Sequence, residues 1–155
     1  MAFDFSEFDA KVDTNALAQE VKEAPDFAEV KRGDYIVSLE KMELTVTKQD
    51  KRPMFTAAFK IKEGEYKGRM LFFNRVLYGN KNTEKWNDGR AIKSVCTWIN
   101  ELLTEDDEPV DFVNYQDFAE QVLDVFQMLQ GAVELDISYD AKSFNPVTIN
   151  EVIDL

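Results

Sequence analysis

This sequence predicts a mainly β, α+β fold: five strands, two helices between the third and fourth, and an acidic arm in front. Three observations carry that expectation. Five segments after Gly33 are rich in β-formers, two of them in strict apolar–polar alternation. Two other segments change to the i, i+3, i+4, i+7 spacing of an amphipathic helix. Glycine and proline fall between these segments rather than inside them.

Residues 1–30 read as an arm. FDFSEFD sets Phe3, Phe5 and Phe8 among Asp4, Glu7 and Asp9, and TNALAQEVKEA suits a short helix capped by Thr14 or Asn15 and stopped by Pro25. DYIVSLEKMELTVT (34–47) is long enough for a bent strand serving two parts of a sheet. KQDKRP (48–53) reads as the next loop, with Pro53 barring a central ladder. FTAAFKIK alternates, EGEYKG turns through Gly64 and Gly68, and RMLFFNRVLY makes the third strand. Ile92, Val95, Cys96, Ile99, Leu102 and Leu103 mark one helix face; Cys96 reads there as a small buried hydrophobe. Phe118, Val122, Phe126 and Leu129 mark a second face, opened by Asn114 and closed by Gly131. VELDISYD and VTINEVI supply the last two strands. Strand, strand, strand, helix, helix, strand, strand is the order of a five-stranded OB-type barrel with helices inserted between strands 3 and 4. A sandwich or another α+β arrangement uses the same parts but fits the count less well.

A length of 155 residues suits one folded domain, here 31–155 after the arm 1–30, and 45% hydrophobic residues argue against wholesale disorder. No apolar run approaches the ~18 residues of a membrane span. The first ten residues are acidic where a signal peptide would be basic, so the expected compartment is the cytoplasm. Histidine is absent and Cys96 is the lone cysteine, which removes the usual nucleophile–histidine systems and Cys/His zinc sites. TEDDEPVD is acidic enough to hold Mg²⁺, but a charge run in a loop is ordinarily solvated. The expectation is a protein that is not an enzyme, with no cofactor, no metal and no catalytic residue.

The net charge of −12 is unevenly placed. Residues 1–30 hold 8 acids and 2 bases, 31–100 hold 15 bases and 8 acids, and 101–155 hold 14 acids and 1 base. The basic middle coincides with the strands that bind ligand in an OB barrel, where the 1–2 and 4–5 loops grip it. Lys48, Lys51 and Arg52 fall in the first of those loops; Lys60, Lys62, Arg69 and Arg75 on strands 2 and 3; Lys142 and Phe144 in the second loop. Lys81 and Lys85 follow strand 3. Single-stranded nucleic acid needs cations along its phosphates and aromatic faces for its bases. Arginine is rarely buried unpaired, so the Arg69–Arg75 side of strand 3 reads as exterior. Phe73 is then the stacking candidate and Phe72 a core residue, an assignment that a bulge would exchange. Tyr78 and Trp86 lie where the barrel meets the long connection, divided between packing and base contact.

GDYIVSLEKMEL, MFTAAFKI, GEYKGRMLFFN and YDAKSFNPVTINEVI resemble a family of small phage-encoded proteins, formerly of unknown function, regarded as phage single-stranded DNA-binding proteins. The likeness runs from about residue 30 to the end, and EYKGR, Glu65 to Arg69, is its most specific element. It implies an OB-type fold and a role in phage DNA replication or recombination inside an infected bacterial host. By position Tyr66, Lys67, Gly68 and Arg69 correspond to the family motif, which adds Tyr66 and Lys67 to the site. The expected partner is single-stranded DNA, with replication or recombination proteins as further candidates through the acidic segments, no membrane, and an oligomer left open. The alternative is a protein-interaction module or an acidic, DNA-mimicking inhibitor.

Overall fold

The computed structural model describes residues 4–23 and 29–155; Phe3 and the helix-stopping Pro25 lie outside them. In chain order the elements are α1 (Ser6–Asp9), α2 (Thr14–Glu23), β1 (Gly33–Val46), β2 (Pro53–Ile61), β3 (Met70–Val76), α3 (Asp88–Asn100), α4 (Tyr115–Leu129), β4 (Val133–Tyr139) and β5 (Val147–Asp154). The strands form one antiparallel sheet in the order β3-β2-β1-β4-β5. The fold is α+β.

β1 is long because it serves two neighbours. Gly33–Ser38 pair with β4, and Val37–Val46 pair with β2. A bulge at Leu39–Lys41 lets Val37, Leu39, Met42 and Leu44 all face the core although one residue is inserted between them. Pro53 is the first residue of β2, the one position where its missing N–H breaks no ladder, so the strand begins earlier than expected. The β2–β3 turn uses Gly64 and Gly68 at φ +86° and +87°, where a side chain would be strained.

No ladder joins β3 to β5, so the sheet is open and not the closed barrel the element order suggested. Side chains occupy the seam instead. Trp98 Nε1 donates to the Val147 carbonyl at 3.0 Å, and Arg75 reaches the β4–β5 loop. Trp98 also meets the rings of Phe55, Phe59 and Phe73 edge-on, at 5.8, 5.9 and 5.3 Å. It rides on α3, whose buried face also carries Ala91, Ile92, Val95 and Ile99. α4 lays Phe118, Val122, Val125 and Leu129 against the same core and packs on β1. Asn87 and Asn114 cap the two helices through the Arg90 and Asp117 amides, at 2.9 and 2.8 Å. Cys96 is half-buried, and that burial pushes its thiol pKa up, away from reactivity.

The arm is different. Neither α1 nor α2 buries a residue, and the α2 start is capped by Asp13, which accepts from the Asn15 and Ala16 amides, rather than by Thr14 or Asn15.

β3 reverses the expected parity. Leu71, Phe73, Arg75 and Leu77 face inward, while Met70, Phe72 and Asn74 face out. Phe73 is 1% exposed and Phe72 55%. Phe73→Ala should therefore destabilise the fold by ~3–5 kcal/mol in urea denaturation, whereas Phe72→Ala should stay within about 0.5 kcal/mol. Equal effects would contradict this register.

Candidate nucleic-acid interface

Antiparallel pairing fixes what shares the outer sheet face. Lys60 lies opposite Met70, Ala58 opposite Phe72 and Thr56 opposite Asn74, while Lys41 of β1 flanks Ala58 on its other side. The row Lys41–Ala58–Phe72 thus crosses three strands, and the alanine between them leaves the phenyl ring uncovered. Thr56 Oγ1 and Asn74 Oδ1 share a hydrogen bond beside it. Lys41 pairs with Glu43 at 3.2 Å on the surface, but Lys60 has no ion-pair partner among the described residues. Met70, Phe72 and Lys41 were not expected here. The spacing of Val37, Leu39, Met42 and Leu44 was the available signal for the bulge that exposes Lys41.

At one end of this face the β2–β3 turn carries exposed Lys62 and Lys67. Arg69 is half-buried, with its carbonyl accepting from the Ile61 amide at 2.9 Å. Tyr66 turns toward the core and meets Tyr35 edge-on at 6.0 Å. Its ring is engaged in packing.

The other end gathers three loops through a chain of contacts. Arg52 of the β1–β2 loop donates to the Tyr78 and Gly79 carbonyls at 3.4 and 3.3 Å, so this expected phosphate contact is spent largely on structure. Asp88, at the start of α3, accepts from the Gly79 and Asn80 amides at 3.1 and 2.8 Å. Partial burial alone would raise its carboxyl pKa; the Asn80 and Gly79 donors and nearby Arg52 hold it below the usual value. Asn80 accepts in turn from Trp86 Nε1 at 3.2 Å, and Trp86 meets Phe144 of the β4–β5 loop edge-on at 4.8 Å. Exposed Lys48, Lys51, Lys81, Lys85 and Lys142 border this chain, and none has an ion-pair partner among the described residues. Tyr78 is exposed and touches Tyr115 edge-on at 6.3 Å. Lys51 holds φ +51°, a left-handed conformation that costs a side-chain-bearing residue ~1–2 kcal/mol.

Arg75 corrects the sequence reading most sharply. It is 7% exposed and faces inward. Its Nη atoms donate to Ser94 Oγ at 2.9 Å, Asn145 Oδ1 at 3.1 Å and the Phe144 carbonyl at 2.7 Å. Its guanidinium carbon lies 4.3 Å from the Phe144 ring centroid, 5.0 Å from Phe73 and 5.4 Å from Trp86. No carboxylate pairs with it among the described residues, and burial lowers its pKa from the ordinary arginine value. Arg75 and Phe73 therefore build the platform rather than touch a ligand on the outer face. Phe144, by contrast, is 63% exposed.

The β4–β5 half of the outer face carries the opposite sign. Asp136 lies opposite Glu151 on one side and Ile36 on the other, with Asp34 and Glu134 on the same face. One sheet surface is thus cationic and apolar at β2–β3 and acidic at β4–β5.

Arg75→Lys retains the charge but cannot lie flat among three rings or span three acceptors. It should destabilise the protein by ~1–3 kcal/mol and speed amide exchange in residues 143–145. Wild-type exchange in that loop would show that charge alone suffices.

No curated protein and no solved structure matches the chain. A family model does, over residues 11–152, under the description "Protein of unknown function (DUF669)". That match spans the sheet, both long helices and most of the arm, and the chain belongs to this DUF669 family.

Proposed function

We propose that this chain is a non-enzymatic, sequence-tolerant single-stranded DNA-binding protein, with the strand running along the outer face of β2 and β3 and over the gathered loops. The observation that carries the proposal is an uncovered Phe72 ring within a track of lysines that lack ion pairs among the described residues: Lys62 and Lys67 at one end, Lys60 beside it, Lys48 and Lys51 at the other. Bases stack on such rings while phosphates follow the cations. A duplex keeps its bases stacked on one another and offers the rings nothing.

Three further points support this reading. The order β3-β2-β1-β4-β5, with β1 shared between β2 and β4, is that of an OB-type barrel opened at one seam, and ligands of that fold lie across strands 2 and 3. Lys51 keeps a side chain where glycine would be less strained, which suits a residue retained for contact. The resemblance to phage single-stranded DNA-binding proteins fits a role in phage DNA replication or recombination in the host cytoplasm. The acidic half of the sheet favours a second reading, a protein-interaction module or DNA-mimicking inhibitor, which would not bind DNA at low salt.

Fluorescence anisotropy with oligo-dT tests the proposal. Log K should fall linearly with log salt at about −0.7 per phosphate contact, and Lys60→Glu should flatten the slope by roughly one contact. Phe72→Ala should weaken binding by ~1–3 kcal/mol with the fold unchanged. Lys51→Gly should weaken binding while raising stability by up to ~1 kcal/mol, a combination that a purely structural loop would not give. Absent or salt-independent binding would end this reading.

A further inference from the structure

We infer that the arm, residues 4–23, docks its apolar side on the outer β2–β3 face of its own chain and yields that face to single-stranded DNA. The inference rests on the reading of that face proposed above. Phe5, Phe8, Val12, Leu17 and Val21 are 48–68% exposed; Phe5 caps α1, which holds Phe8, Val12 lies between the helices, and Leu17 and Val21 sit four residues apart on α2. Helices of 4 and 10 residues are below the ~12–15 residues at which an isolated helix becomes even marginal in water. They call for a surface to cover these side chains.

Charge decides which surface. Residues 4–23 hold six acids, Asp4, Glu7, Asp9, Asp13, Glu20 and Glu23, against Lys11 and Lys22. The β4–β5 half of the outer face, with Asp34, Glu134, Asp136 and Glu151, repels such an arm. The β2–β3 half offers exposed Met70 and Phe72 on its edge strand, with Lys60 opposite Met70 and Lys41 across Ala58 from Phe72, matching apolar side chains ringed by carboxylates. Phe144 is a poorer partner, because Trp86 and Arg75 already engage its ring.

Reach is sufficient. Glu29 to Arg32 border a cleft with Asp140, Ala141 and Lys142, so the arm is rooted beside the β4–β5 loop. From Gly33 along β1 to Ser38, the residue opposite Lys60, is about 17 Å. The six peptide steps from Glu23 to Glu29 span at most about 22 Å. α2 adds about 15 Å, which brings Phe5 and Phe8 within range. Tethering sets an effective concentration on the order of millimolar, so a weak contact suffices to occupy the face.

The test is amide NMR of the full chain against a Phe5→Ser/Phe8→Ser/Leu17→Ser variant, whose substitutions touch no buried residue. At low salt the Lys60, Met70 and Phe72 amides should differ between the two proteins, and saturating oligo-dT should bring them together. The variant should bind oligo-dT roughly three- to ten-fold tighter at low salt and less than about two-fold tighter at high salt, where both attractions are screened. Identical sheet amides without DNA would overturn the docking, whatever the DNA affinity. Differences that grow with protein concentration would assign the arm to a second copy and overturn the own-chain contact. Differing amides with no oligo-dT binding would leave the docked arm standing and sink the DNA reading alone.

Discussion

The Arg75 guanidinium is the charged tie across the seam between β3 and the β4–β5 loop. Burying a charge without a counter-ion is ordinarily prohibitive. Arg75 manages it by dividing its donors among three neutral oxygens, Ser94 Oγ, Asn145 Oδ1 and the Phe144 carbonyl, and by lying near three aromatic rings. Ring faces present the negative end of their quadrupole to the cation, which offsets part of the lost hydration. A carboxylate would do the same work more strongly but would cancel the charge. Using neutral partners keeps the seam positive.

Much else depends on that arrangement. β3 and β5 do not pair, so nothing in the backbone ladder brings the β4–β5 loop to the end of β3. Arg75 does so from one side and Trp98, through the Val147 carbonyl, from the core. Once the loop is docked, Phe144 sits edge-on to Trp86, Trp86 donates to Asn80, and Asn80 donates to Asp88 beside the Arg52-braced turn. Three loops far apart in sequence become one rigid rim. Exposed rings held this way lose little further freedom on meeting a planar ligand, which is where preorganisation gains affinity.

Most of the fold was legible because it follows from periodicity. β2 and β4 alternate in sequence, the two long helices repeat at helical spacing, and Gly64 and Gly68 mark a turn that needs positive φ. The openness of the sheet was not legible, since the same strand order serves an open or a closed arrangement and only seam side chains decide. The site was half legible. The exposed lysines could be read from type alone, but β3 could not, because each of its stripes carries a polar residue: Arg75 in one, Asn74 in the other. Residue type says that arginine goes outside. The heavier argument was volume, since the inner stripe of β2, Phe55, Ala57, Phe59 and Ile61, needs large partners, and Leu71, Phe73 and Leu77 outweigh Met70 and Phe72. Packing outranks type when three rings are waiting for the cation.

Under the proposed binding of single-stranded DNA, the overall charge of −12 would have a physical role rather than be an obstacle. Potentials in ~0.15 M salt decay over about 8 Å, so a polyanion at the surface feels the nearest side chains and not the sum. Lys48, Lys51, Lys60, Lys62 and Lys67 have no ion-pair partner among the described residues; Asp50, Glu63 and Glu65 share their loops, but the larger groups of acids lie on the β4–β5 half, the helices and the arm. Such segregation leaves one attractive track and makes the remaining surface repulsive to any chain of phosphates. A uniformly basic protein of this size would hold nucleic acid in many orientations. For the single-stranded DNA binding proposed above, the acidic bulk would remove the wrong orientations, and the exposed ring of Phe72 would select, among polyanions on the track, those with free planar faces.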